Sequence, residues 1–462
     1  MRVVYKSISL LSSPNVRLAQ FTLSPAALLL PCHALSMKLL VFAHTPPPHH
    51  GQSYMVQVML TGFGGDNRKK EVALNKYGIK CYHVNARVSK HLQDIGDFRF
   101  GKFLLMLGYC AQAIWCRFRY GVTTFYYIPA PGKKSALYRD WLVFALCRPF
   151  FKHMVLHWHA AGLAKWLETS VEIRHRAATY RFLKNVDLSI VLSNYNRADA
   201  EKLFPQRIKI VSNGIPDPCP NFDTSLLARR RARVEARKKI LAGQSLSKPE
   251  SEAAGDDPHV FRVLYLAHCT ADKGLFDALD GVVLANQRLV AQGSPISIRL
   301  AIAGNFVSKS EKAAFDKLLE DPAISHVVRY VGFAAGDRKT QALCDADVLC
   351  FPTFYRNENQ PVNLIEAMAF GLPIITTRWR SLSEMFPDGY PTLVETHQPQ
   401  QICDVLVRLA GGEILENGFE LTRQHFLKNF TVECHLDALA TAIRSIESEA
   451  PLPARFAEAR GI

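Results

Sequence analysis

The chain has 462 residues, 48% of them hydrophobic and 21% charged, the balance of an ordinary globular protein of two or three domains with full cores. Its formal charge of +15 calls for an anionic partner, a phosphorylated small molecule or an anionic membrane face; nucleic acid ranks last, because no nucleic-acid-binding motif accompanies the charge. No apolar run is long enough to cross a membrane, and the eleven cysteines contain no Cys-x-x-Cys pair, which argues against a zinc or dithiol site and for reduced, packed thiols in the cytoplasm.

Residues 1–36 carry Arg2, Lys6 and Arg17 but no acid, and their apolar block at 26–30 is short and bounded by Pro25 and Pro31. A disordered or spurious extension is therefore expected ahead of the fold, rather than a targeting segment. The fold is expected to open at Met37, with a buried strand at 38–43, a loop at 44–53 and a helix from about Tyr54. The longest apolar stretch, 103–115, contains Gly, Cys and Gln and is too short to span a bilayer, which leaves a peripheral membrane contact open. Further strand patterns lie at 123–128, 153–157, 188–192 and 208–211, with helical patterns between them, and complete a first domain of 37–215.

The alternation breaks over 216–258. A strongly basic helix is predicted at 228–239, its arginines and lysines forming a solvated face, with membrane or acceptor contact as the alternative; 243–258 is polar and reads as a linker. Strands resume at 262–267, 297–303, 327–331, 347–351 and 373–377 within a second domain of 259–431, and a helix is predicted from 432 to 449. Alternating strands and helices imply an α/β fold with parallel sheets covered on both faces.

Open parallel sheets bind ligands beyond the carboxyl ends of their strands, and four strand-to-helix loops are unusual. The first is Pro-rich and ends at Gly51, where the backbone can approach an anion at a helix start. Another carries His157 and His159 at a strand end; each is either a proton donor or acceptor near neutral pH or an ordinary structural histidine. A third, His268 to Gly274, presents Lys273 as a phosphate ligand. The last carries Glu358 and leads through Pro361 into an apolar helix closed by Gly371, whose first N–H groups, on Val362, Asn363 and Leu364, suit a pyrophosphate. Glu366 shares a face of that helix with Val362 and Phe370, so its carboxylate either reaches the rim or holds a partner or ligand. One ligand with a diphosphate, a ribose and a sugar would fit the whole set.

In their order and spacing these motifs resemble the family 4 retaining glycosyltransferases of the GT-B fold, also called glycosyl transferases group 1. The resemblance covers most of the chain from Met37: the Gly51 loop, His159, Val211-Ser-Asn213-Gly214-Ile, Asp272-Lys273-Gly274, Ala303-Gly304-Asn, Ala346-Asp347-Val, and Glu358 and Glu366 with Ala-Met-Ala-Phe-Gly-Leu-Pro. It implies two Rossmann-like domains facing across a cleft, with the C-terminal helix of about 432–462 packing back on the first. It also implies a nucleotide-sugar donor, UDP- or GDP-linked, held mainly by the second domain, and a glycan or lipid-linked acceptor, with no metal or other cofactor.

By the same resemblance Glu366 would hold the ribose, Lys273 the diphosphate, and Glu358 the transferred sugar beside the reacting carbon; His159 would act from the first domain, and Gly51 and His157 would line the acceptor side. Two departures stand out. Ala267-His268 replaces the usual Gly-Arg, giving a second phosphate ligand only partly charged near pH 7, and Glu358 is followed by Asn359-Gln360-Pro361 rather than x-Phe-Gly. The readings that follow are a retaining sugar transferase of cell-envelope or exopolysaccharide synthesis, cytoplasmic with possible peripheral contact at the inner membrane face, then a GT-B nucleotide-sugar epimerase, and a catalytically degenerate sugar-nucleotide-binding protein.

Overall fold

A computed structural model describes residues 36–47, 51–69, 75–87, 100–129, 132–255, 257–413 and 418–448. The extension expected at 1–36 lies, apart from Ser36, outside the described residues, as does the chain after 448.

Among the described residues, twelve strands form two parallel sheets of six. The first contains β1 (Met37–Phe42), β2 (Ile79–Val84), β3 (Thr124–Tyr127), β4 (His153–Trp158), β5 (Leu188–Val191) and β6 (Ile208–Ile210), in the order β2-β1-β3-β4-β5-β6. The second contains β7 (Val260–Leu266), β8 (Ser297–Ala303), β9 (Val328–Gly332), β10 (Val348–Phe351), β11 (Ile374–Thr377) and β12 (Leu393–Val394), in the order β12-β11-β10-β7-β8-β9. β2 and β12 were not expected from the pattern. Lys80 and His83 interrupt the apolar run of β2, and β12 is two residues long, so both depend on pairing with β1 and β11.

Seven helices bear on the site and its surroundings: α1 (Gly51–Gly62), α2 (Phe100–Tyr120), α3 (Leu227–Leu241), α4 (Leu275–Ala291), α5 (Asp337–Asp345), α6 (Val362–Ala369) and α7 (Val432–Ser448). α1 begins at Gly51, three residues ahead of the expected start. Buried apolar side chains cover both faces of the first sheet, and one large cluster fills the second domain. The C-terminal α7 belongs to the first domain's core: Leu436, Leu439 and Ile443 pack with Leu39, Val41 and Val56, and Arg444 Nε donates to Tyr77 O at 2.8 Å. The chain crosses between domains where Ile215 pairs with Thr431.

The basic helix differs from its expected role. Arg230, Arg233 and Arg237 of α3 are at most 2% exposed, so these three do not lie on a solvated face, whereas Arg231 and Lys238 of the same run are exposed. Arg230 donates to the carbonyls of Leu343 and Ala346, and Arg233 to that of Asp345, which satisfies the open C-terminal end of α5. Arg233 and Arg237 also flank the Asp347 carboxylate at 2.9 and 3.1 Å, and Asp347 accepts from the Arg262 N–H at 2.8 Å. Burial draws the Arg230 guanidinium down to about 10, still charged at neutral pH. Helical spacing shows which residues share a face, but not that this face meets carbonyls instead of water.

Candidate functional site

In each sheet the strand order reverses beside the first strand, between β1 and β3 and between β7 and β10. Loops leaving such a switch point open a crevice. Lys273 lies on the loop after β7, and Glu358 on the loop after β10, so they flank the second crevice. Gly274 is what lets the loops close up. Its φ of +76° is open to glycine, and a Cβ there would lie 2.2 Å from the Pro352 carbonyl oxygen. The Phe354 N–H donates to Asp272 O at 2.9 Å, stitching one loop to the other.

Lys273 Nζ donates to Glu358 Oε2 at 2.5 Å and sits 4.3 Å from the centre of the Tyr355 ring. Thr353 Oγ1 donates to the same carboxylate oxygen at 3.0 Å. Glu358 is buried, its carboxyl group placed between the Lys273 ammonium and the Thr353 hydroxyl. Pro361 is the residue before α6 rather than its first turn, and Asn363 Nδ2 ties the helix start to Leu266 O, at the end of β7, at 2.7 Å. Leu364 uses its N–H within the turn, toward Pro361 O and Asn363 Oδ1, and so does not join the predicted cradle. The N–H groups of Val362 and Asn363 have no partner among the described residues.

Glu366, one turn into α6, pairs with Lys339 of α5. Tyr54 of α1 lies close enough that burial, and then the Glu366 charge, raise its phenol above the ordinary value. Lys339, Tyr54, Thr353 and Tyr355 were all missed in the sequence. Each sits in an unremarkable local pattern: Thr353 and Tyr355 meet Glu358 and Lys273 through the folding of the loop they share with Glu358, and the packing of α1 and α5 against α6 brings Tyr54 and Lys339 to Glu366.

His268 is half-buried; burial and then the Lys273 charge lower its pKa. A side chain expected to be partly charged near pH 7 is therefore neutral there, which leaves Lys273 as the cation of this loop.

The first domain supplies the opposite wall. A Cβ on Gly51 would lie 3.7 Å from Val362 Cγ2, so the starts of α1 and α6 face each other. The loop after β4 faces the residues just before Glu358: a Cβ on Gly162 would be 3.6 Å from Arg356 O. His159 stands on this loop, its ring 4.2 Å from that of His157. His157 itself is 1% exposed, and Tyr126 Oη lies 2.5 Å from its Nδ1. Burial, followed by the charges of His159 and His435, holds its pKa well below the ordinary value. Predicted at the acceptor side, it stands instead as a neutral ring behind His159, because it points into the sheet interior.

Asn359 and Gln360 serve the domain contact. Gln360 Oε1 accepts from the Asn213 N–H at 2.8 Å, and its Nε2 donates to Leu192 O at 2.9 Å. Ser381 Oγ donates to both oxygens of Asn359. Glu384 accepts the N–H groups of Asn194 and Tyr195, each at 2.8 Å. Among the described residues no cluster of three or more His, Cys, Asp or Glu side chains is arranged to hold a metal ion, and no helix is long and apolar enough to cross a membrane.

Residues 262–411 match the family described as glycosyl transferases group 1. The amylovoran biosynthesis glycosyltransferase AmsK of Erwinia amylovora is 27% identical over 157 residues, 33% of this chain and 36% of that protein. The putative colanic acid biosynthesis glycosyltransferase WcaL of Salmonella typhimurium is 25% identical over 191 residues, 40% of this chain and 45% of its own length. The matched stretches thus span less than half the length of these curated relatives. Among solved structures, Anabaena HepE in complex with UDP superposes with a TM-score of 0.55 at 13% identity, covering 88% of this chain and 100% of that one, a likeness of GT-B fold alone.

Proposed function

We propose that this chain, whose second domain belongs to the glycosyl transferases group 1 family, moves a sugar from a nucleotide-sugar donor to a glycan or lipid-linked acceptor with retention of configuration. One observation carries the reading: the Lys273–Glu358 pair stands at the open start of α6, facing Gly51 and the His159 loop across the cleft. The names of the relatives, concerned with amylovoran and colanic acid, support an acceptor in cell-envelope or exopolysaccharide synthesis. UDP in the HepE complex supports a uridine nucleotide, with GDP-linked donors as the other class to test.

In this reading the diphosphate lies against Lys273 and the N–H groups of Val362 and Asn363. Glu366, steadied by Lys339, takes the ribose hydroxyls, while Glu358 accepts from hydroxyls of the transferred sugar and His159 contacts that sugar or the acceptor. The bond from the anomeric carbon to the diphosphate oxygen breaks as an acceptor hydroxyl attacks the same face. The acceptor proton passes to the departing diphosphate, whose growing charge is met by Lys273 and the helix start. That neutralisation needs no metal ion, so turnover should survive EDTA.

The test is a panel of UDP- and GDP-sugars, following nucleoside diphosphate release and the anomeric configuration of the product. Release with a retained linkage supports the proposal. The neutral His268 favours a second reading, a binding protein without turnover; nucleotide-induced stabilisation with no release on any acceptor extract would establish that instead. An altered free donor sugar without transfer would point to an epimerase.

A further inference from the structure

α2 carries an apolar stripe on each side. Met106, Cys110, Ala113 and Cys116 face the core, as amphipathic packing requires. The opposite side is mostly apolar: Leu104, Leu105, Gly108, Ala111, Trp115 and Phe118 are exposed, Trp115 at 53% and Phe118 at 69%, with Gln112 the polar residue among them. Single exposed apolar residues are ordinary, whereas a continuous stripe along one helix marks a contact surface.

Its surroundings indicate what it meets. Phe150 packs edge-on against Phe118 at 6.0 Å, and Tyr120 against Trp115 at 5.5 Å, forming an aromatic cluster at the C-terminal end of the helix. Arg117 donates to Phe150 O at 2.8 Å, and Arg119 lies 5.4 Å from the centre of the Tyr120 ring, so both guanidiniums border that cluster. From 100 to 152 the sequence has eight basic residues and one acid, Asp140, which is buried and bonded to Tyr127 and Arg139. Exposed aromatics bordered by Arg117 and Arg119 match the water–bilayer interface of an anionic membrane. At the other end of α2 the stripe continues into a shallow depression of about 560 Å³ lined by Leu104, Leu105 and Tyr109. Tyr109 donates to the carbonyl of Arg87, just past β2, which puts this end on the cleft side of the sheet.

We propose that the outer face of α2 rests on an anionic lipid surface, with Trp115 and Phe118 entering the interface and Arg117 and Arg119 among the headgroups. The contact deepens the sugar-transfer reading, and rests on it for the supposition that the acceptor is borne on the same membrane. Lipid from the bilayer would meet the protein beside the open cleft.

The full chain would be sedimented with vesicles of phosphatidylcholine alone and with 30% phosphatidylglycerol, without donor or acceptor, so that failure here leaves the transferase reading untouched. Binding should favour the anionic vesicles by about tenfold or more, weaken with salt, and fall about tenfold in W115S/F118S. Lipids brominated near the headgroup should quench wild-type tryptophan emission and leave W115F unaffected. The double variant must keep its UDP-induced thermal shift, which separates lost contact from lost fold. Equal binding to both vesicles, unchanged binding by W115S/F118S, or quenching that persists in W115F would overturn the proposal. So would a wild-type dimer in solution that W115S/F118S dissociates, which would assign the face to a second copy of the chain.

Discussion

Replacing Lys273 with methionine removes a cation while keeping a side chain of similar reach. In the free protein Lys273 is 2.5 Å from Glu358 and largely shielded, with 18% of its side chain exposed. A phosphate charge about 4 Å away would interact with it by roughly 4 kcal/mol at an effective dielectric constant near 20, and desolvation offsets part of this. Charged hydrogen bonds contribute about 1.5–3 kcal/mol net, so UDP affinity should fall on the order of 10- to 100-fold in K273M. K273M also strands Glu358, at a stability cost of about 2 kcal/mol. The double variant K273M/E358Q separates the two effects: stability should return and UDP affinity should not. E358Q alone frees Lys273 from its partner, so UDP should bind at least as tightly while turnover drops. Isothermal titration at fixed ionic strength and urea denaturation supply both readouts. UDP affinity within twofold of wild type in K273M, or affinity restored in the double variant, would refute the phosphate role.

Asp347→Asn removes the carboxylate between Arg233 and Arg237 and should cost about 3–5 kcal/mol in urea denaturation; a loss under 1 kcal/mol would mean that the carbonyl contacts alone hold the arginines. His435 is buried, its Nδ1 2.7 Å from Ser212 O, and burial holds its pKa at about 4 against 6.5 unfolded. Because the unfolded chain takes up the proton first, its contribution is complete above pH 6.5 and is lost as pH falls toward 4, by about 3 kcal/mol at most. H435Q should lack that part of the slope, compared by thermal melts at pH 7 and pH 5. Gln360→Ala removes the acceptor of the Asn213 N–H, so hydrogen exchange at that amide should speed up about fivefold or more, while UDP affinity stays within threefold; unchanged exchange would show that the domains are joined elsewhere.

The sequence by itself determined the two α/β halves and the loops that carry Lys273, Glu358 and Glu366. Apolar strand periods, Pro361, Gly371 and the Gly274 turn are local, and local patterns dictate elements and their ends. What those loops touch is not local. Lys339 and Tyr54 come to Glu366, and Lys273 to Glu358, through packing that no spacing encodes. The same holds for Gln360, which spans to Asn213 of the other domain, and for His157, which is buried inside β4 while His159, just past the end of that strand, stands on the loop at the cleft. α3 makes the point most clearly: identical arginine spacing suits a solvated face or a buried cap. Only the tertiary structure, by setting that helix against the carbonyl end of α5 and Asp347, decided between them.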